Sequence, residues 1–244
     1  MSKSDWFATW FDTSYYHILY QKRNDEEARN FISNLVKFLG QEEGDKVLDL
    51  ACGMGRHSKT LHQHGLDVVG VDLSSNSIKA AKESTQEGLR FAVQDMRVPL
   101  NEKFDTVYNL FTSFGYFDDL SDNDKVIEAI SAMLDQDGML VIDFMNSVRV
   151  INQLVEAETK ELSGIEFNLS RRYDGQHIFK DIKFSDEGRN YHFTERVQAL
   201  KLKDFEQLLV KHGFEIQETF GDFNLAGFNP TESDRLIIIA KKIK

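Results

Sequence analysis

Glycines and acidic side chains recur where short apolar segments end, and this pattern could bind a nucleotide-like ligand. Gly53 and Gly55 lie in DLACGMGRH, between an apolar run and a helical segment. Glycine permits positive φ and close approach of a ligand, and the first turn of a helix offers N–H groups to an anion. Asp72 follows VVGV and Asp95 follows FAVQ. Carboxylates at such positions can accept hydrogen bonds from ribose hydroxyls and from an adenine amino group.

The glycine spacing differs from that of a dinucleotide-binding turn. That turn has a third Gly or Ala three residues after the second glycine, where this chain has Ser58. Met96, beside Asp95, could pack on a flat ring. Each acid alone could be a turn residue or a helix cap. An ordered set is harder to explain in that way: Asp49, Gly53, Gly55, Asp72 and Asp95.

Short apolar strands alternate with amphipathic helices from about residue 46 onward. The predicted strands are Val47–Leu50, Asp67–Val71, Leu89–Val93, Phe104–Leu110, Met139–Phe144, Phe214–Phe220 and Arg235–Ile243. The predicted helices are Arg56–His64, Ser75–Glu83, Ser121–Leu134 and Leu202–Lys211. Such alternation is typical of a parallel sheet with helices on both faces, and we expect the last strand to pair antiparallel. The acids and glycines would then lie at one edge of this sheet.

Two regions depart from the alternation. Aromatic residues at helical spacing between Trp6 and Tyr20, and a second helix over Glu26–Leu39, predict that residues 1–40 form a helical lid. Residues 164–200 have a period near two, with turn signals at Asp174-Gly175, expected to be a type I′ turn, and at Glu187-Gly188. We expect residues 146–200 to form a small antiparallel β cap inserted into a single domain that spans 1–244.

Composition restricts the partners. The net charge is −11 and no basic block is present, which argues against nucleic acid. The start lacks a signal-peptide pattern, and no apolar stretch approaches the roughly 20 residues of a membrane span. A single cysteine, Cys52, excludes an internal disulfide and fits the reducing cytoplasm. We therefore expect a cytoplasmic protein without membrane or nucleic-acid partners, either a monomer or a homodimer.

The motifs, in this order, resemble the class I S-adenosylmethionine-dependent methyltransferases, and the resemblance covers nearly the whole chain. It is carried by LDLACGMG, by GVDLS, by Asp95-Met96, by the segment Phe104–Phe117, by Gly213-Phe214 and by the closing RLIIIAKK. The family has a Rossmann-like α/β fold with a seven-stranded, mostly parallel, doubly wound sheet whose last strand is antiparallel. The resemblance therefore implies this fold, with N-terminal helices and the β insert added.

The resemblance also implies a cofactor, S-adenosylmethionine, with S-adenosylhomocysteine as product, and the residues that bind it. Those around the methionine part would be Asp49, Ala51, Gly53 and Gly55, with Cys52 packed beneath. Asp72 would bind the ribose, and the adenine would contact Leu73, Asp95 and Met96. Asn109 and Leu110 would lie beside the sulfonium, and Tyr16 on the lid would close over the cofactor.

No residue is diagnostic of catalysis, because an activated methyl donor needs mainly alignment and exclusion of water. Candidates for a base or a contact to the reacting atoms are Tyr16, His17 and Tyr116. Candidate acceptor contacts are Phe114, Tyr116, Arg171 and His192, with His177 and Arg172 as further possibilities on the cap. Each of these residues could equally be a packing or surface residue. Phe111 and Phe117 could present aromatic faces to a cation.

The acceptor is predicted only as a class. Residues 109–112 read Asn-Leu-Phe-Thr, not the Asn- or Asp-Pro-Pro-aromatic tetrad of DNA amino methyltransferases. No regular metal-ligand pattern is present, so no metal is expected. The cap and the TSFGYF segment are similar to small-molecule N-methyltransferases, including those acting on glycine and on nucleotide-linked amino sugars, which implies a metabolite with a nitrogen or oxygen nucleophile. Three alternatives stay open: an adenosylmethionine-fold protein with other chemistry, a nicotinamide-dependent oxidoreductase, and a non-enzymatic cofactor-binding protein.

Overall fold

Seven strands form the central sheet of the computed structural model, which describes residues 6–20 and 25–244. They are β1 (Lys46–Leu50), β2 (Asp67–Asp72), β3 (Leu89–Val93), β4 (Phe104–Asn109), β5 (Leu134–Met145), β10 (Phe214–Phe220) and β11 (Arg235–Lys242). Their order is β10-β11-β5-β4-β1-β2-β3, and β11 is antiparallel to both neighbours while the other pairs are parallel. The predicted fold class is confirmed.

Helices cover both faces of this sheet, which explains why its strands are continuous apolar runs. They are α3 (Asp25–Leu39), α4 (Arg56–Gln63), α5 (Ser75–Ala81), α6 (Ser121–Met133), α7 (Ser147–Asn152) and α8 (Leu202–Lys211). Neighbouring residues of β1 face opposite sides: Leu48 packs with side chains of α6 and α8, and Val47 with side chains of α3, α4 and α5. Both are fully buried. None of the helices in the described ranges is long and apolar enough to cross a membrane.

A second sheet of four antiparallel strands follows α7. It contains β6 (Ala157–Leu162), β7 (Ile165–Tyr173), β8 (His177–Asp186) and β9 (Arg189–Gln198), in that order. The sequence predicts the last three strands, but β6 and α7 were not predicted. The β6 segment AETKEL has no apolar alternation because it is an edge strand with only Leu162 buried.

The two predicted turns of this sheet differ in type. Glu187 and Gly188 both have positive φ, 47° and 75°, as the two-residue connection between β8 and β9 requires. At the other turn only Gly175 has positive φ, 99°, and the Asp174 N–H donates to the His177 carbonyl. Gly175 and Gln176 are therefore the central residues, and the predicted type I′ turn centred on Asp174-Gly175 is wrong by one residue.

The N-terminal region is helical, but its first predicted helix is divided. It consists of α1 (Trp6–Trp10) and α2 (Ser14–Leu19), separated by an extended Thr13 whose hydroxyl accepts a hydrogen bond from the Tyr16 N–H. Trp10 and Leu19 pack on one face of the small sheet, with Phe167 and Phe184. The parts of the predicted lid at residues 1–5 and 21–24 lie outside the described residues.

Candidate active site

A cavity of about 310 Å³ lies at the carboxyl ends of β1, β2, β3 and β4, beneath α1 and α2. This volume is at the lower end of the ~300–1,000 Å³ typical of small-molecule sites. The predicted site residues that line it are Tyr16, His17, Ala51, Cys52, Gly53, Asp72, Leu73, Asp95, Met96, Leu110 and Tyr116. The fold thus brings residues from four strand ends and the N-terminal helices together.

The glycine turn after β1 has the backbone conformation that its residues suggest. Ala51, Gly53 and Gly55 have positive φ, 66°, 56° and 76°. A Cβ added to Gly53 would meet no heavy atom within 4 Å, whereas one added to Gly55 would lie 2.6 Å from the Phe91 ring. Gly53 therefore leaves open space at the cavity wall, and Gly55 is required for packing beneath it.

Asp72 ends β2 at the cavity wall with its carboxylate fixed by two backbone amides. Oδ2 accepts from the Gly53 N–H at 2.8 Å, and Oδ1 accepts from the Ser74 N–H at 2.8 Å. Burial raises the pKa of Asp72, while these two amides oppose the shift. A carboxylate has about four acceptor positions, so two remain for hydroxyl donors. The geometry suits a vicinal diol such as a ribose.

Asp95, after β3, is held by Arg97. Its oxygens accept from Nε of Arg97 at 3.0 and 3.1 Å and from Nη2 at 2.6 Å. Nη1 of Arg97 bonds Asp122 at 2.9 Å, and the guanidinium lies 4.9 Å from the centroid of the Phe117 ring. Burial alone would raise the pKa of Asp95, but the hydrogen bonds from Arg97 outweigh burial and lower it. Asp95 is therefore an ionised acceptor at the wall.

Three residues that the resemblance implies as cofactor ligands lie behind the cavity wall: Asp49, Gly55 and Asn109. Asp49 is 1% exposed and accepts from the Ser58 hydroxyl at 2.5 Å. Burial raises the pKa of Asp49 to about 6. Asn109 donates to the Leu50 carbonyl at 3.0 Å, and within the described part of the chain its Oδ1 has no hydrogen-bond partner. Asp49 and Asn109 thus support the strand ends from below.

Two wall residues on the first turn of α4 were not predicted, Arg56 and His57. The Arg56 guanidinium lies 5.3 Å from the centroid of the Phe111 ring, and its Nη2 lies 3.3 Å from Nε2 of His57. Their position directly after the GMG turn was a usable signal, because the first turn of that helix faces the ligand. Arg56 supplies a cation that can pair with a ligand carboxylate.

Aromatic rings form the wall of the cavity on the side of the N-terminal helices. Tyr116 packs edge-on against Trp6 and Phe11, with centroids 5.5 and 5.3 Å apart, and Phe11 meets Tyr16 at 4.9 Å. Tyr16, Tyr116 and Phe11 all line the cavity, and His17 lies beside them. This wall is mainly aromatic, and its polar groups are the phenol hydroxyls of Tyr16 and Tyr116 and the imidazole of His17.

The structure places the other predicted acceptor contacts outside the cavity. Phe114 is fully buried and packs on Phe205. Arg171 forms an ion pair with Glu158 on the small sheet. His192 is exposed, contacts Asp181 at 3.1 Å, and belongs to the set of alternating residues that faces away from Phe184 and Phe193. His177 and Arg172 do not line the cavity either.

The N-terminal helices are fastened to the β2 edge by Asp12, which lies between α1 and α2. Oδ1 of Asp12 accepts from the Ser74 hydroxyl at 2.5 Å and from the Asn76 N–H at 3.0 Å, and Oδ2 accepts from the Asn76 side chain at 2.8 Å. Ser74 is also the residue whose N–H binds Asp72. Ser74 thus joins the N-terminal helices to the loop that orients the Asp72 carboxylate.

The donor set fits S-adenosylmethionine. Two acidic acceptors, one cation and an aromatic wall match the ribose and base, the carboxylate and the sulfonium of that molecule. No group of three histidine, cysteine or acidic side chains is arranged to bind a metal ion within residues 6–20 and 25–244.

Comparisons with known proteins identify the family. A family profile described as a methyltransferase domain matches residues 41–205. A glycine/sarcosine N-methyltransferase from Aphanothece halophytica is 29% identical, with 92% of this chain and 85% of the relative aligned.

Two solved structures share the fold. An S-adenosylmethionine-dependent methyltransferase from Clostridium acetobutylicum superposes with a TM-score of 0.78 at 21% identity, covering 93% of this chain and 95% of that one. An S-adenosylmethionine-bound amino pentose methyltransferase from Micromonospora echinaspora superposes with a TM-score of 0.71 at 17% sequence identity. The superposition covers 94% of this chain and 97% of that one. From the profile match, the shared fold and the cavity together, the chain belongs to the class I S-adenosylmethionine-dependent methyltransferases.

Proposed function

We propose that this methyltransferase transfers the methyl group of S-adenosylmethionine to the nitrogen of an amine of metabolite size. The aromatic wall formed by Phe11, Tyr16 and Tyr116 carries this proposal. Aromatic faces attract an ammonium group and exclude water from it, whereas they offer a neutral hydroxyl little. Relatives named as glycine/sarcosine N-methyltransferases support the same acceptor class.

The chain's own residues would act mainly by binding and alignment. S-Adenosylmethionine supplies an activated methyl group, so that the acceptor nitrogen forms a bond to this carbon as the carbon–sulfur bond breaks. The acceptor must first lose a proton, since an ammonium has no lone pair. His17 and Tyr116 line the cavity and are the candidates to take that proton directly or through water.

We assign the cofactor contacts by position in the cavity. Asp72 would bind the ribose hydroxyls, Asp95 the adenine amino group, and Leu73 and Met96 the faces of the base. Arg56 would hold the carboxylate of the methionine part. Tyr16, with Ala51, Cys52, Gly53 and Leu110, would surround the sulfur end. Asp49, Gly55 and Asn109 would act by supporting these groups from behind the wall.

The two added parts of the chain would enclose the acceptor. We propose that Trp6–Tyr20, the described first part of the predicted 1–40 lid, acts as the lid, because α1 and α2 close the cavity while Asp12 holds them to the β2 edge. The α3 part of the predicted lid packs on the central sheet instead. The small sheet within 146–200 would act as a cap that supports the lid, since Trp10 and Tyr20 both donate to Glu195 on β9. A cytoplasmic enzyme, as a monomer or homodimer, is consistent with its single buried cysteine, Cys52.

A defined acceptor panel tests the nitrogen assignment. The enzyme is incubated with methyl-labelled S-adenosylmethionine and either amines (glycine, sarcosine and a nucleotide-linked amino sugar) or hydroxyl acceptors (a catechol and a quinol). We expect label on at least one amine and on no hydroxyl compound. Label confined to a hydroxyl compound would overturn the proposal. Tyr116→Phe keeps the ring and should leave the KM for the amine nearly unchanged, whereas Tyr116→Ala should raise that KM about tenfold.

A further inference from the structure

Two consecutive residues after β4 have a backbone conformation that side chains other than glycine rarely adopt. Phe111 and Thr112 have φ of 64° and 59°. In this left-handed region the Cβ atom crowds the backbone, and the strain is largest for bulky and β-branched residues. Such strain persists only where surrounding groups enforce it, and it is concentrated at functional sites. The Phe111 ring lines the cavity.

A buried ion pair enforces this conformation. Asp143, 1% exposed at the end of β5, accepts the Phe111 N–H on Oδ2 at 2.9 Å, and its backbone carbonyl accepts the Thr112 N–H at 2.8 Å. Arg235, at the start of β11, donates from Nε to Oδ1 of Asp143 at 2.8 Å and from Nη2 to the Thr112 hydroxyl at 3.0 Å. The N–H groups of both residues and the Thr112 hydroxyl are therefore bonded to Asp143 or Arg235.

The direction of the Phe111 ring depends on this turn. The centroid of the ring lies 5.3 Å from the Arg56 guanidinium and 5.8 Å from the Arg235 guanidinium, which belongs to β11. If residues 111 and 112 relaxed to extended backbone, the Phe111 side chain would leave the cavity wall, because the two conformations point Cβ in different directions. The ion pair thus controls one wall of the cavity without lining it.

We propose that Asp143 and Arg235 are positioning residues that hold the Phe111 ring at the cavity wall, where it would face the sulfonium of S-adenosylmethionine. The proposal rests on the cofactor placement given above, in which Leu110, the residue before Phe111, lies at the sulfur end. It adds a specific task for a pair that does not line the cavity. An aromatic face beside a sulfonium favours S-adenosylmethionine over the uncharged S-adenosylhomocysteine. The ratio of the two dissociation constants therefore reports the position of the ring without any acceptor.

A double-mutant cycle between Arg235 and Phe111 tests the proposal. Phe111→Ala should shift the ratio about three- to tenfold toward S-adenosylhomocysteine, as measured by calorimetry. Arg235→Gln should produce most of the same shift. In the Phe111→Ala background Arg235→Gln should add almost nothing, because the group through which it acts is gone. Additive effects, or an unchanged ratio in folded Arg235→Gln, would refute the proposal.

A rescue variant separates positioning from general stability. Thr112→Gly accepts positive φ without a Cβ, so adding it to Arg235→Gln should restore at least half of the lost ratio, on a logarithmic scale. Failure to restore any of it would count against the proposal. Arg149→Gln is the matched control, since Arg149 pairs with Asp234 outside the cavity and should leave the ratio unchanged. If Arg235→Gln does not fold, Arg235→Lys is used in the same cycle. Label confined to a hydroxyl compound in the acceptor panel would overturn the nitrogen assignment and leave this test intact.

Discussion

At the scale of single residues, the site is built from charges whose ionisation the fold controls differently. Asp72 and Asp95 follow neighbouring strands, but backbone amides hold one while Arg97 holds the other. Asp49 lies deeper and accepts a hydrogen bond from the Ser58 hydroxyl, and within the described residues no cation lies within hydrogen-bond distance of it. Burial raises the pKa of both acids, but at Asp95 the combined hydrogen bonds and charge of Arg97 outweigh burial and lower the pKa, which stabilises a negative charge at the cavity wall.

Removing the Arg56 cation should weaken binding of only those ligands that carry a carboxylate. Arg56→Gln should raise the Kd of S-adenosylhomocysteine about tenfold and leave that of 5′-methylthioadenosine, which lacks the amino acid part, within about twofold. Calorimetry with both ligands measures this. Lys59→Gln, on the same helix but away from the cavity wall, is the control. Equal loss for both ligands would show that Arg56 supports the fold and does not bind the carboxylate.

The buried acid behind the glycine turn should make stability fall with pH. Folding raises the pKa of Asp49 from 3.8 to about 6, so between these values the native state holds a proton that the unfolded state has lost. Asp49→Asn should therefore match the wild type below about pH 4 and exceed its unfolding free energy by about 3 kcal/mol above about pH 7.

Denaturant unfolding of both proteins between pH 4 and pH 8 provides this comparison. Asp135→Asn, at an exposed position, is the control variant. Its difference from the wild type in unfolding free energy should not increase with pH. Parallel stability curves for Asp49→Asn and the wild type would contradict the pKa assignment.

Sequence reasoning reached the residues of the cavity that belong to a motif and missed those that depend on distant contacts. Three of these residues could be recognised because they lie at or just after the ends of apolar strands: Gly53, Asp72 and Asp95. Asp143 and Arg235 could not be recognised, because their pairing joins two strands 92 residues apart and their types alone suggest ordinary surface charges. His192 was misplaced because a strand's alternation does not reveal which of its faces the N-terminal helices will cover. Arg171 has the same parity as Phe167 and Leu169, on the covered face, but it pairs with Glu158 outside the cavity.

At the scale of elements, the break between α1 and α2 determines where the Asp12 carboxylate lies. One continuous helix would carry Asp12 along its side, whereas the break at residues 11–13 brings that carboxylate to the N-terminus of α5. An acid there is favoured by the helix dipole as well as by its hydrogen bonds. The break was not predicted, because the aromatic residues keep helical spacing across it and Thr13 alone is a weak capping signal.

Loss of this fastening should accelerate release of the cofactor product. Asp12→Ala removes three hydrogen bonds to Ser74 and Asn76, so the lid should open more often and the dissociation rate of S-adenosylhomocysteine should rise about tenfold. Stopped-flow displacement measures that rate. Ser14→Ala, at an exposed position on α2, should leave it unchanged. A dissociation rate equal to that of the wild type would mean that the lid does not control release.

The order of strands and helices was predictable because each central strand is buried on both faces and reads as a continuous apolar run. The edge strand β6 was not, since five of its residues are not buried and carry no apolar period. Its pairing is decided by the neighbouring β7 and not by its own composition. The turn between β7 and β8 lies one residue away from its predicted position for a similar reason. The pairing register of the two strands, and not the Asp174-Gly175 dipeptide alone, selects the central residues of the turn.

At the scale of the whole molecule, the parallel sheet gathers its functional groups at one edge and the added parts cover that edge. The N-terminal helices pack against two hydrophobic clusters. Trp6 and Phe11 contact both the core of the main sheet and the buried side chains of the small sheet. The cavity is therefore lined by the sheet edge and the N-terminal helices, and the small sheet contacts those helices from the other side. Their meeting explains why the sequence identifies the methyl donor and only the class of acceptor.

The central claim is that this cavity directs the methyl group of S-adenosylmethionine to nitrogen. The most direct measurement uses ¹³C-methyl S-adenosylmethionine, the purified enzyme and a metabolite extract, followed by two-dimensional proton–carbon NMR of the products. The account predicts new enzyme-dependent signals with the carbon shift of an N-methyl group, which become much weaker with Asp72→Ala. New signals only at the shift of an O-methyl or C-methyl group would contradict it.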